Sequence, residues 1–295
     1  MKFSKNSRVL CLKSVWDLMP EDYVCGQSDK IIMVSALPTM QCHLGIMSTT
    51  MSDVHWFAHN LAKNLMHITL SPSTITGRIS QVVYDLSTKY YTKARERGIR
   101  ITGDLQFSVS ILFIYRKQLY LWNLGNNMLV IQHNDNTIDR LWDASYAKEC
   151  SLVLNKILIE TRRYNKTITA AIRAHVPDIR AMLRSCNKQN SYKALTPNLD
   201  SVVFGKLHTL NASDIKYMYL MSDGFYSYLD TFSFASNLQV FTNHITKYGL
   251  EEIADKIQRA QLKDKLCNNY PRIERSNDIS AVSVKLEDVP VQRMI

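Results

Sequence analysis

The chain has 295 residues, 46% hydrophobic and 21% charged, with 36 Lys and Arg against 26 Asp and Glu and a formal net charge of +10. That balance excludes wholesale disorder, and no apolar run reaches the ~18 residues that a membrane-spanning helix needs. Only nine glycines occur, and the absence of G-x-G-x-x-G and G-x-x-x-x-G-K-[ST] speaks against a dinucleotide fingerprint or a P-loop.

The polar start Met1-Lys2-Phe3-Ser4-Lys5 does not read as a secretory leader. The six cysteines, Cys11, Cys25, Cys42, Cys150, Cys186 and Cys267, form no C-x-x-C pair, so reduced thiols and a cytoplasmic location are expected. Strands are expected at Arg8–Lys13 and Lys30–Ala36. Ser52–Met66 reads as a helix, since Val54, Phe57, Ala58, Leu61 and Leu65 recur at three- and four-residue steps. Val82–Arg97 reads as a second helix, stopped by Gly98. Phe107–Tyr115, Leu119–Leu124 and Met128–Gln132 are β-rich and separated by turn residues, Arg116-Lys117-Gln118 and Gly125-Asn126-Asn127, which predicts a three-strand meander.

Ser145–Thr161 places Cys150, Leu154, Ile157 and Leu158 on one helical stripe, and the basic stretch after it reads as helix broken at Pro177. Lys216–Met221 is a strand that ends at Ser222-Asp223-Gly224. Glu251–Gln261 reads as a helix, and Ile279–Leu286 alternates as a closing strand. Antiparallel strands with helices around them, and few βαβ units, predict an α+β fold. No linker-like segment divides the chain, so one domain with a local insertion is expected.

The stretch Leu210–Asp230 is the most informative chemically. A hydrophobic strand delivers Asp223 at its end, where a carboxylate suits a hard metal ion, although Asp-Gly is equally a favoured turn pair. Here the sequence resembles the metal-dependent protein phosphatases of type 2C. Met221-Ser222-Asp223-Gly224-Phe225 resembles the family's "SDG" strand end. Leu119–Val130, with Asn123 and Gly125-Asn126-Asn127, resembles its "NvGDSR" segment. Ser276-Asn277-Asp278-Ile279-Ser280 resembles the closing "DN" strand, and Pro20-Glu21-Asp22-Tyr23 with Ile31–Ala36 resembles the opening "ED…DG". The likeness covers roughly residues 8–288. It implies an antiparallel β-sandwich flanked by helices, with a basic, flap-like helical insertion around 143–205, and two Mn²⁺ or Mg²⁺ ions that activate a hydroxide against a phosphoserine or phosphothreonine.

The resemblance also assigns departures. The family's bridging Asp falls at Ser35, its closing Asp at Asn277, and its phosphate-holding Arg at Asp17. "GDSR" is replaced by Gly125-Asn126-Asn127-Met128. Asp278 adjoins Asn277, but in a strand register neighbouring side chains point opposite ways. The remaining metal ligands would be Asp223, Asp22, Glu21 and Asp278, with Asp29 and Asp53 as further acids in this half of the chain. So few carboxylates make a tight dinuclear centre unexpected.

Other signals are weaker. His55 and His59 stand four apart on one helix face, but Trp56-Phe57 replace the Glu of H-E-x-x-H, and surface or partly buried histidines are the simpler reading. No G-x-S-x-G elbow supports a serine hydrolase, and no Cys has a nucleophile's context. Tyr217, Tyr219, Phe225, Tyr226 and Tyr228 read as core packing. Thr161–Leu195 carries eight basic residues, among them Arg162, Arg163, Lys166, Arg173, Arg180 and Arg184, against the single acid Asp178. Those six are candidates for contact with a protein partner such as a phosphoprotein or kinase. Without interleaved aromatics a nucleic-acid role is not favoured, and it would show as a steep salt dependence. The expectation is a catalytically degenerate, partner-binding relative of the type 2C phosphatases, with a divergent Mn/Mg-dependent phosphatase as the alternative.

Overall fold

The computed structural model describes residues 1–5, 7–13, 21–38, 45–101, 105–274 and 276–287. Asp17, Pro20 and Cys42, named above, lie outside them. Two five-stranded antiparallel sheets are present. One runs β2 (Arg8–Leu12), β11 (Ile279–Val284), β10 (Ile215–Met221), β7 (Met128–His133), β8 (Ile138–Leu141). The other runs β3 (Tyr23–Gly26), β4 (Lys30–Ala36), β5 (Phe107–Tyr115), β6 (Gln118–Leu124), β9 (Lys206–Leu210). A short pair, β1 (Lys2–Phe3) and β12 (Leu286–Glu287), joins the two ends of the described chain.

Strand alternation explains the layering. In β4, Ile31 and Met33 face the other sheet and pack with Leu121, Leu129, Met218, Leu220 and Val282. Ile32 and Val34 face the opposite way, beneath α1 (Asp53–Met66) and α2 (Ile75–Glu96). In the first sheet, Val130, Tyr219, Met221 and Ala281 turn outward onto α6 (Asp223–Asp230) and α7 (Leu238–Lys263). Both faces of the central strands are therefore buried, which is why they read as continuous apolar runs. The fold is α+β, a sandwich of two antiparallel sheets flanked by helices. The aromatic run from Tyr217 to Tyr228 sits in the core under α7. Among the described residues no helix is long and apolar enough to cross a membrane.

Three expectations change. The meander does not form, because β5 and β6 pair while β7 joins the other sheet between β10 and β8. Arg116 and Lys117, both at positive φ, make the two-residue hairpin turn expected of a right-twisted ribbon. Gly125-Asn126-Asn127 instead carries the chain from one sheet to the other, with Gly125 at φ 96°. A Cβ there would lie 2.3 Å from Ser108 Oγ, so the crossing needs glycine. The second helix begins at Ile75, earlier than its periodicity suggests. Pro177 does not break a helix from within. It sits in the first turn of α5 (Val176–Arg184), where a missing N–H costs nothing, and α4 (Ile168–Ala174) ends before it. With α3 (Ser145–Tyr164), these helices enclose their own apolar cluster around Ile157, Ala171, Leu183 and Tyr192.

Candidate functional site

The antiparallel order brings the ends of β4, β6 and β10 and the starts of β3, β5, β7 and β11 to one edge of the sandwich. The polar residues singled out above meet there. Asp22 and Ser35 are almost fully buried, and Asp278 is buried with them. The Ala36 N–H donates to Asp22 Oδ1 at 3.0 Å. The N–H groups of Glu21 and Asp22 both donate to Asp278 Oδ2, the second at 3.0 Å. Glu21 itself turns toward α1, where it accepts from Ser52 Oγ at 2.9 Å. Ser52 also caps that helix, accepting the His55 N–H at 3.0 Å.

Asp223 opens α6, where the positive end of the helix favours a carboxylate. Gly224 follows it because a Cβ there would fall 1.9 Å from the Asp278 carbonyl oxygen. The Asp-Gly pair is therefore a close approach of helix to strand rather than a turn. Asn126 Nδ2 donates to Asp223 Oδ2 at 3.0 Å, and Asn277 Nδ2 donates to Asp223 Oδ1 at 3.1 Å. Gly224 N–H adds a third donor at 2.8 Å. Asn126 is fixed in turn by Ser108, whose Oγ donates to Asn126 Oδ1 and accepts the Asn126 N–H at 2.7 Å. Asn277 and Asp278, which lead into β11, have separate partners. Asn277 serves Asp223, while Asp278 holds the backbone at Glu21 and Asp22.

The electrostatics follow from burial. Burial raises the Asp22 carboxyl well above the usual range, and the charges of Asp278 and Asp223 push it further. Asp223 is also raised by burial, against the pull of Asn126, Gly224 and Asn277. Beneath them burial pushes the Cys11 thiol up to about 12, with Asp22 and Asp278 adding to the effect, so Cys11 is no nucleophile.

A two-metal centre brings four positive charges and needs free anionic oxygens. Here both oxygens of Asp223 already accept amide N–H groups, one oxygen of Asp278 accepts two backbone N–H groups, and Asp22 Oδ1 is committed to Ala36. Asp22 Oδ2 has no hydrogen-bond partner in the structure, and neither has the hydroxyl of Ser35. Among the described residues no group of three or more His, Cys, Asp or Glu side chains is arranged to hold a metal ion. Among the described residues the donor set does not fit a dinuclear centre. Asp29 lies at the opposite end of the β3–β4 hairpin, and Asp53 is buried under Met47, whose N–H donates to its Oδ1 at 3.0 Å. His55 and His59 stack on each other, with His59 against Tyr23.

Beside the cluster opens a cavity of about 240 Å³, walled by α3, α5, α6 and residues 271–274 and 276–277, with Asp223, Asn126 and Asn277 at one side. Its apolar lining includes Trp142, Tyr146, Leu154 and Met182. Arg162, Arg163, Lys166, Arg173, Arg180 and Arg184 are exposed on α3, α4, α5 and the turn between the first two, and do not line the cavity. Lys166 pairs with Glu160 at 2.6 Å, and both Arg163 and Lys166 lie over the Tyr164 ring.

Ser108 and the grip of Asn126 on Asp223 were not anticipated. The signal was the Gly-Asn-Asn that replaces a Gly-Asp at a strand end. The cavity had none, since its walls come from separate segments.

No protein-family profile matches the sequence, and no curated protein does. Solved structures do match in fold. The serine/threonine phosphatase PstP/Ppp of Mycobacterium tuberculosis superposes with a TM-score of 0.54 at 11% identity, covering 98% of this chain and 100% of that one. PppA, described as a key regulatory component of the type VI secretion system in Pseudomonas aeruginosa, gives 0.53 at 12% identity, covering 97% and 99%. A PstP catalytic domain in complex with two manganese ions gives 0.53 at 9% identity, covering 97% and 99%. The chain thus has the fold of the bacterial PPM-type, or type 2C, serine/threonine phosphatases over nearly its whole length.

Proposed function

We propose that this chain is a catalytically degenerate type 2C phosphatase-like protein that acts by binding a protein partner. The observation that carries this reading is the engagement of Asp223 by Asn126 and Asn277. Two side-chain amides, neutral donors, occupy the carboxylate oxygens that a hard cation would need. Ser35 supports it, since a buried hydroxyl stands where the family's bridging carboxylate would be. Without that bridge no coordination geometry lowers the pKa of an attacking water toward 7. The exposed cations from Arg162 to Arg184 offer a surface for a partner, such as a phosphoprotein or a kinase, through long-range attraction to its acidic groups.

The second reading, a divergent Mn²⁺/Mg²⁺ phosphatase using Asp22, Asp223 and Asp278, has one observation in its favour. Asp22 Oδ2 is a buried carboxylate oxygen without a partner, and Asp278 and Asp223 are both near enough to raise its pKa.

Mn²⁺ titration calorimetry and a phosphopeptide assay on the same samples separate the two. The degenerate reading expects no turnover, and no Mn²⁺ binding tighter than millimolar in the wild type. It also expects the double variant Ser35→Asp/Asn277→Asp, which returns two carboxylates, to bind Mn²⁺ at least about tenfold more tightly. Micromolar binding in the wild type that Asp223→Ala abolishes, together with turnover, would establish the enzyme instead.

A further inference from the structure

α3 buries one side and leaves the other bare. Tyr146, Val153 and Ile157 are buried in the apolar cluster that α3 shares with α4 and α5. At ~3.6 residues per turn, Lys148, Leu152, Lys156, Ile159, Arg162 and Arg163 fall within about a third of the helix circumference on the opposite side, with Asn155 among them. All of them are exposed. Leu152 is 59% exposed and Ile159 64%. Scattered singly, exposed apolar residues need no explanation, but these two stand in line along the helix and are framed by cations.

Charge on this face is one-sided. The acids of α3 are Glu149 and Glu160, and neither falls in that sector. Glu149 accepts from Ser185 Oγ, Ser191 Oγ and the Tyr192 N–H, and Glu160 accepts from Lys166 Nζ. Asp178 of α5 approaches the face and is held there by Lys156 at 2.7 Å and by His175 Nδ1 at 2.8 Å. Among the described residues Lys148, Arg162 and Arg163 form no ion pair. The spacing of the apolar pair selects the shape of what would cover it. Seven residues of helix rise about 10 Å, which is the repeat of apolar side chains on a facing helix. Side chains on one face of an extended strand recur at about 7 Å and fall out of step with it. A second copy of this chain would set these cations against themselves, which opposes self-pairing.

We propose that the exposed face of α3 is the docking surface for an acidic amphipathic helix of a protein partner. That helix lays apolar side chains seven residues apart over Leu152 and Ile159, and sets Asp or Glu against Lys148, Arg162 and Arg163. This rests on the partner-binding reading above, and narrows it to one helix face and one partner chemistry.

The probe is a fluorescein-labelled peptide of three heptads, with Leu at every seventh position and Glu at the positions flanking it, followed by fluorescence anisotropy at about 100 mM salt. A dissociation constant of about 10–100 μM is expected, with a scrambled peptide of the same composition at least about tenfold weaker. Leu152→Ser with Ile159→Ser weakens the probe about tenfold, and so does Arg162→Glu with Arg163→Glu. Tyr84→Ser, at a comparably exposed residue of α2 outside this face, leaves the constant unchanged. An unchanged circular-dichroism spectrum is the control for folding in each variant. Equal binding of the scrambled peptide, an unchanged constant in Leu152→Ser/Ile159→Ser, or no binding of the probe up to about 1 mM would overturn the proposal. So would tighter binding to vesicles of anionic phospholipid that the same double variant weakens, since the face would then serve a lipid surface. Binding of poly-glutamate that Arg180→Glu/Arg184→Glu removes and both α3 double variants leave intact would also overturn this face, while the partner-binding reading would stand. Phosphopeptide turnover, which tests catalytic degeneracy, is a separate readout.

Discussion

At the residue scale the edge of the sandwich gathers buried carboxylates that accept backbone and side-chain amide N–H groups. Asp22 is the extreme case, buried and pressed by two other acids. Its folded pKa lies above its unfolded one, so between those values the native chain holds a proton that the unfolded chain has lost. Its contribution to stability is therefore complete below the ordinary carboxylate range and declines as pH rises through the raised value. Asp223 acts in the same direction. Asp22→Asn keeps an oxygen for the Ala36 N–H and removes the repulsion. Urea unfolding is expected to show it about 1–2 kcal/mol more stable than wild type at pH 8, with the gap closing toward pH 4. A gap that widened on acidification would contradict this picture. Gly125 is the second sensitive residue. Its φ of 96° and its contact with Ser108 make Gly125→Ala costly by about 2–4 kcal/mol, measured in the same way.

At the element scale, hinges and caps decide the geometry more than propensity does. α7 runs over Leu238–Lys263 but is bent at Gly249, whose φ of 84° and ψ of 171° belong to a region that is nearly closed to other residues. Replacement of a helical glycine by alanine ordinarily stabilises by ~1 kcal/mol. Here Gly249→Ala is expected to destabilise by about 1–3 kcal/mol, because the bend lets Ile245 on one side and Ile253 and Ile257 on the other face the same sheet. Thermal unfolding of that variant checks the sign. Ser52 links two elements, capping α1 and donating to Glu21, so the approach to β3 is tied to the start of a helix rather than to a neighbouring strand.

At the scale of the whole molecule, charge is segregated. Part of the basic excess lies on the exposed surface of α3 to α5, while acids gather at the sandwich edge and in the cavity beside it. A net charge of +10 makes the surface self-repelling. Raising ionic strength from about 20 mM to about 300 mM should therefore raise the melting temperature, since exposed charges are screened over a Debye length of ~10 Å or less. Arg180→Glu with Arg184→Glu, both exposed, should change stability by no more than about 0.5 kcal/mol while reversing part of the basic face. A large loss of stability would mean that these side chains hold the helices together instead of facing a partner.

The sequence alone carried the sandwich elements, because their buried strands are rich in branched and aromatic side chains and the helix stripes follow the helical period. β4 and β5 were legible to the residue at Lys30–Ala36 and Phe107–Tyr115, and α1 to within its cap. The type 2C likeness was legible for the same reason that the fold persists at about one residue in ten identical, since it rests on short strand-end segments that the topology needs. The acids at those strand ends could be named in advance as single positions. What tertiary structure decided was partnership. β7 crosses to the other sheet because Gly125 can press against Ser108, a contact seventeen residues back in the chain. Asn126 reaches Asp223 across 97 residues, Asp278 reaches Asp22 across 256, and the cavity draws its walls from segments that have no common pattern. Local periodicity reports which face of a strand or helix is buried. It is silent on which distant side chain completes a hydrogen bond, because that depends on the packing of both sheets at once.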